Sequence, residues 1–173
     1  MFSSPLFRNS KDSMKTVDIF GANQLPEVNR TRTACRGFVI NNGKILICHE
    51  IEDKQFFSPG GGIEKNETIE ECCIREVCEE TGVVVNPTTH LITVNEYYED
   101  WKYITHYFIC EAIGEAETHL TKEEISRGLV PEWADIEFIR DLWSRHDEFK
   151  REETRGSYLR EYTALCEYFE VTK

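Results

Sequence analysis

With 173 residues, 40% of them apolar and among them 10 Phe, 7 Tyr and 3 Trp, the chain can bury the core of one domain. A formal net charge of −12 with no Lys/Arg stripe excludes a nucleic-acid polymer as partner, because strand phosphates would be repelled. No apolar run approaches the ~20 residues of a membrane helix. The start, MFSSPLFRNSKD, also lacks the apolar segment of a signal peptide, so a cytoplasmic protein without a membrane partner is expected.

Three segments are expected: a tail with an edge strand over residues 1–30, a core over 31–150, and a C-terminal helix over 151–173 packed on the same domain. About the first 14 residues read as loose, and Thr16–Phe20 as the edge strand. Residues 33–40, the turn Asn41-Asn42-Gly43 and residues 44–51 read as a hairpin, two β-rich runs joined by residues that accept positive φ. The apolar pair Phe56-Phe57 then leads into a loop, Ser58-Pro59-Gly60-Gly61-Gly62. Three glycines let backbone amides and carbonyls come close to an ion or a phosphate. By itself a triple glycine more often marks a turn.

A helix follows over about residues 69–81. Thr68 and Glu71 have the spacing of a capping box, and Gly82 is a natural left-handed terminator. At 100° per residue, Ile69, Cys72 and Cys73 share a stripe suited to packing on a sheet. Glu76 and Glu80 fall on that same stripe, with Glu79 beside them. Three carboxylates so placed repel one another, and they sit at the negative end of the helix dipole. Burial would push their pKa values up unless a cation were present. The usual meaning of a Glu run, a solvated face, puts the acids opposite the apolar stripe; Glu70 and Glu71 fit that description and the other three do not. A divalent cation resolves the conflict.

Beyond the helix, residues 90–98 read as a strand, Glu99-Asp100 as a turn and 102–113 as another strand pair. Residues 115–128 form a polar connection with one helical turn, and Pro131-Glu132-Trp133 precede an amphipathic helix over 134–149. A last helix over 157–169 carries Leu159, Tyr162, Leu165, Cys166 and Phe169 on one side. Strands on both sides of a central helix, with helices at the end, predict an α/β fold: a mixed β-sheet sandwiched between α-helices. The 7 cysteines show no CxxC pair and read as reduced core residues. His49, His90, His106, His119 and His146 have no ligand spacing and read as structural.

Residues 61–83, GGIEKNETIEECCIREVCEETGV, fit G-x5-E-x7-R-E-U-x-E-E-x-G-U throughout, with U a bulky aliphatic residue. This resembles the Nudix box of the MutT-like hydrolases, and the order of elements agrees with the Nudix fold. The resemblance implies metal-dependent hydrolysis of the pyrophosphate linkage in a nucleoside diphosphate joined to another group. It makes the Gly61 carbonyl, Glu76, Glu79 and Glu80 ligands of Mg2+, with Mn2+ a substitute, and makes Glu67 and Arg75 a salt bridge tying loop to helix. One carboxylate would take the proton of the attacking water, Glu79 or Glu76 first. Glu96, Glu115, Glu117, Glu123 and Glu124 are candidates outside the box, each otherwise a surface acid.

The substrate is then a small nucleotide. Tyr98 and Trp101 lie in an aromatic stretch that would stack on a base or else simply pack, and Arg32 and Arg36 would reach phosphates or pair with surface acids. Arg155 and Arg160 are weaker candidates. A tyrosine at this distance from the box resembles the subgroup that cleaves dinucleoside polyphosphates, while the proline of ADP-ribose hydrolases is absent. A nucleotide sensor with the same fold is the alternative; such proteins usually lose box glutamates, and here all are kept. Relatives commonly form homodimers; the N-terminal segment and last helix only hint at an interface, and the sequence leaves dimerisation open.

Overall fold

The computed structural model describes residues 14–173, so the expected tail lies almost wholly outside them. In chain order the elements are β1 (Thr16–Phe20), β2 (Arg30–Asn41), β3 (Lys44–Glu50), β4 (Gln55–Phe57), β5 (Gly60–Gly62), α1 (Ile69–Thr81), β6 (Val83–Tyr98), β7 (Trp101–Glu115), α2 (Lys122–Ser126), β8 (Leu129–Asp135), α3 (Ile136–Ser144) and α4 (Glu152–Val171). A single 3-10 turn, His146–Glu148, joins α3 to α4.

The strands make one mixed sheet in the order β1-β6-β7-β2-β3-β4, with β5 paired to β2 and β8 to β3. The pairs β1/β6 and β2/β7 are parallel and the others antiparallel. Side chains alternate across the pleat, so each strand feeds two cores. On one face Cys35, Val39, Val85, Phe108 and Cys110 pack against Cys72, Cys73 and Val77 of α1. On the other, Phe38, Ile45, Ile47, Val94 and Tyr107 pack against Ile139 and Trp143 of α3 and Tyr158 and Leu165 of α4. The sheet is therefore sandwiched between helices, as expected. Burying each large side chain contributes roughly 1.5–3 kcal/mol, and the indole N–H of Trp143 is satisfied by the Phe56 carbonyl at 2.9 Å. No helix among the described residues is long and apolar enough to cross a membrane.

Several expectations need correction. The hairpin over residues 33–51 pairs only at Ile40–Ile45 and Asn41–Lys44. Beyond the turn the two strands part, β2 running along β7 and β3 along β8, and the site lies where they diverge. The glycine loop is a short strand, β5, because glycines can lie close against β2. Pro131-Glu132-Trp133 belong to β8, not to a lead-in to a helix. Proline is tolerated there since β8 is an edge that pairs with β3 alone. Asp135 then caps α3, accepting from the N–H groups of Glu137 (3.0 Å) and Phe138 (3.2 Å), so the helix starts at Ile136 and stops at Ser144.

The remaining correction concerns the two long late elements. Residues 101–115 are one strand, β7, and not a pair. Helix α4 begins at Glu152, and its buried stripe is Thr154, Tyr158, Glu161 and Leu165; Leu159, Tyr162, Cys166 and Phe169 are only partly covered. An apolar count misses this stripe because a buried carboxylate sits in its middle.

Candidate active site

The site begins with α1. Thr68 accepts from the Glu71 N–H while Glu71 reaches back to the Thr68 N–H at 2.8 Å, and Gly82 closes the helix at φ 73°. These caps fix the phase of the helix, and that phase decides which carboxylates turn inward. Glu80 is buried, with 7% of its surface exposed. Glu76 is largely covered, and the Glu79 side chain is 39% exposed. The helix face that begins as core does end in carboxylates.

Arg75 organises that end. Its guanidinium donates to both oxygens of Glu67 (2.7 and 3.0 Å), to the Gly62 carbonyl (3.0 Å), and from Nη1 to Glu76 (2.8 Å) and Glu79 (3.1 Å). The expected Glu67–Arg75 bridge is therefore one arm of a clamp that also holds β5 and two acids. The Arg75 hydrogen bond holds the Glu67 carboxyl below its usual range. Strand β5 meets α1 closely: a Cβ on Gly61 would lie 2.5 Å from Glu76 Oε2, so any side chain there would displace that carboxylate. The Gly60 N–H donates to Glu80 at 2.8 Å, and the Cys48 thiol approaches the same oxygen at 3.4 Å. Burial pushes Glu80 up to about 7 against the pull of Arg36 and the Gly60 N–H. Burial also raises Glu76, partly offset by Arg75.

These groups form one wall of a cavity of about 590 Å³. Its lining includes four arginines (Arg32, Arg36, Arg127, Arg160) and seven glutamates (Glu50, Glu76, Glu80, Glu96, Glu99, Glu124, Glu153). Arg32, Arg36, Tyr98 and Trp101 all line it, so the expected substrate residues come together with Glu76, Glu80 and Gly61. Glu79 lies beyond Arg75, outside the lining.

The four substrate candidates differ in availability. Arg36 is committed internally, donating to the Ser58 carbonyl and lying 3.5 Å from Glu161. Arg32 has no carboxylate partner within 4.0 Å among the described residues, and its Nη2 is 3.4 Å from where a Cβ on Gly62 would be. Trp101 stacks on Tyr103 with centroids 5.3 Å apart and planes 16° from parallel, and the Arg30 guanidinium lies 4.5 Å from the indole centroid. Tyr98 is wedged against Gly156 of α4, its hydroxyl 3.4 Å from Glu96.

Among the acids outside the box, Glu96 and Glu124 line the cavity, and Glu115, Glu117 and Glu123 do not. Glu96 is held by Arg160 at 2.9 Å, and Glu124 is spent capping α2 through the Thr121 N–H at 2.7 Å. Sequence reasoning passed over Ser58, Glu50, Arg127 and Glu161 and underrated Arg160. For Glu161 the sequence pattern gave no signal: it lies on the buried stripe of Thr154, Tyr158 and Leu165, and not on the apolar side formed by Leu159, Tyr162, Cys166 and Phe169.

A divalent cation would take Glu76, Glu79, Glu80 and the Gly61 carbonyl as its donor set. Among the described residues no three His, Cys, Asp or Glu side chains already converge on one point, because Arg75 draws Glu76 and Glu79 towards itself. The set is nonetheless all oxygen and largely anionic, its member Glu80 has a pKa raised by burial, and Gly61 lets backbone and carboxylate meet. These residues fit Mg2+ or Mn2+.

Comparison with known proteins agrees with this geometry. The NUDIX domain family matches residues 30–155. Among solved structures, a NUDIX hydrolase from Nitrosomonas europaea superposes with a TM-score of 0.56 at 20% identity, covering 78% of this chain and 90% of its own. An ADP compounds hydrolase gives 0.58 at 18% identity, covering 85% of this chain and 75% of its own. A UDP-X diphosphatase gives 0.58 at 13% identity, covering 84% of this chain and 66% of its own. At such identities the structural likeness speaks for the fold.

Proposed function

The chain belongs to the Nudix hydrolase family, and on that premise we propose that it cleaves the pyrophosphate linkage of a nucleoside diphosphate derivative, using a cation held by Glu76, Glu79, Glu80 and the Gly61 carbonyl. The observation that carries this reading is the meeting of the acidic end of α1 with β5 at the cavity wall, where Glu80 is buried against the Gly60 N–H at 2.8 Å. Mg2+, or Mn2+ in its place, would offset phosphate charge and polarise the phosphorus–oxygen bonds. Arg75 holds Glu76 and Glu79 side by side and ties both to β5 through Gly62. Glu76 lines the cavity at the acidic end of α1, so it takes the proton of the attacking water, and Glu79 supports it. Arg32, which has no acid partner among the described residues, contacts the phosphates beside β5, and the Trp101–Tyr103 pair stacks on the base. Tyr98 forms the wall between them. The excess of glutamate over arginine in the lining favours a small anion that arrives together with its cation.

The test is a nucleotide panel (ADP-ribose, a dinucleoside polyphosphate, ordinary and oxidised nucleoside triphosphates, a UDP-sugar) with Mg2+ or with chelator. Cleavage at the pyrophosphate is expected for at least one member, lost with chelator and reduced about 10²–10⁴-fold in Glu76→Gln. No turnover on any member, together with cation-dependent nucleotide binding, would replace the hydrolase by a sensor.

A further inference from the structure

Helix α4 extends beyond the residues matched by the family, 30–155, and carries a fully buried carboxylate, Glu161, that the chemistry above does not use. A buried acid is kept only where its partners repay its loss of water. Glu161 Oε2 accepts from the Ser58 hydroxyl at 2.7 Å. Its Oε1 lies 3.4 Å from Arg160 Nη2 and 3.5 Å from Arg36 Nη1. Arg36 Nη1 in turn donates to the carbonyl of the same Ser58. Ser58 is thus gripped at both its hydroxyl and its carbonyl by one ion pair.

Ser58 is itself fully buried and stands three residues before Gly61. The backbone between them is pinned as well: the Pro59 carbonyl accepts from the Gly37 N–H at 3.0 Å, and the Gly60 N–H donates to Glu80 at 2.8 Å. The Ser58 grip anchors the end of this segment nearest β4, and Glu80 anchors the end nearest α1. Arg160 fixes Glu161 from behind, with Nε on the Tyr107 hydroxyl and Nη1 on Glu96, both at 2.9 Å. Burial alone would drive the Arg160 pKa down; Glu96, Tyr107 and Glu161 outweigh it and hold the pKa well above its ordinary value.

We propose that Glu161 is a positioning residue: through Ser58 and Arg36 it sets where β5 presents the Gly61 carbonyl, so that α4 governs cation affinity from the far side of the strand. This rests on the reading of Gly61 as a cation ligand, though not on turnover. A neighbouring shell of this kind typically changes metal affinity or activity 10–100-fold when broken.

The experiment measures Mn2+ binding to the full chain by electron paramagnetic resonance, without nucleotide, for wild type, Ser58→Ala, Glu161→Gln and the double variant. Glu170→Gln, an exposed acid on the same helix, is the control. Ser58→Ala and Glu161→Gln are each expected to weaken Mn2+ about 10-fold, with nucleotide KM at saturating cation unchanged. The double variant should lose less than the product of the two single losses, because the pair acts through one contact. Wild-type Mn2+ affinity in Ser58→Ala, or losses that simply multiply, would overturn the proposal. Ser58→Ala decides the matter alone should Glu161→Gln not fold. Wild-type chain that binds Mn2+ but turns over no nucleotide would strike the hydrolase reading and leave this one standing.

Discussion

Glu80 offers the sharpest test of how the site is built. Burial raises its pKa from 4.5 to about 7, so between those values the folded protein holds a proton that the unfolded chain has released. The sign follows: stability of the cation-free protein falls as pH rises from 4.5 to about 7 and is then flat. At about 1.4 kcal/mol per pKa unit, the ionised carboxylate costs on the order of 3 kcal/mol at pH 8. Glu80→Gln removes the charge while its amide oxygen still accepts from the Gly60 N–H, at the loss of some of the Cys48 contact. The cation-free variant should therefore be more stable than wild type at pH 8 by about 2 kcal/mol, roughly 4–8 °C for a chain of this size. Below pH 4.5 the gap should close. Saturating Mg2+ should reverse the order at pH 8, since a ligand that binds only the folded wild type stabilises it by mass action. Calorimetry at pH 4.5 and pH 8, with chelator and with Mg2+, measures all of this. A variant no more stable than wild type at pH 8 in chelator, or a gap independent of pH, would refute the argument.

Three further outcomes are expected. Glu67→Gln should lower turnover about 10–100-fold with little change in nucleotide KM, because Arg75 loses its ion pair and with it the orientation of Glu76 and Glu79; steady-state kinetics at saturating Mg2+ reads the split. Gly61→Ala places a Cβ 2.5 Å from Glu76 Oε2, and the forced displacement should cost about 10²-fold in turnover; single-turnover assays on the folded variant check it. Trp101→Ala should raise KM by about 10-fold or more at unchanged kcat, since base stacking contributes roughly 1–3 kcal/mol, and a substrate lacking the base should not distinguish the two proteins.

What the sequence by itself determined is local. Helix α1 was legible to the residue, because its cap at Thr68, its terminator at Gly82 and the phase of Cys72, Glu76 and Glu80 depend on neighbours three or four positions away. The partnership of Glu67 with Arg75 across eight residues came from the motif, and Arg75 Nε lies 2.7 Å from Glu67 Oε1. The family followed from the same stretch. Tertiary structure decided the rest, because strand pairing is set by partners far along the chain. Nothing near Gly60 or Pro131 says that one will lie on β2 and the other on the edge of β3. Nor does anything near Arg36 announce that it will turn inward to Ser58 and Glu161, while Arg32 keeps no acid partner among the described residues. Glu161, Arg160 and Glu96 look like surface charges until α4 is laid across the sheet. Once it is, burial leaves each with little water to fall back on, and their mutual pairing is what holds the cavity's far wall in place.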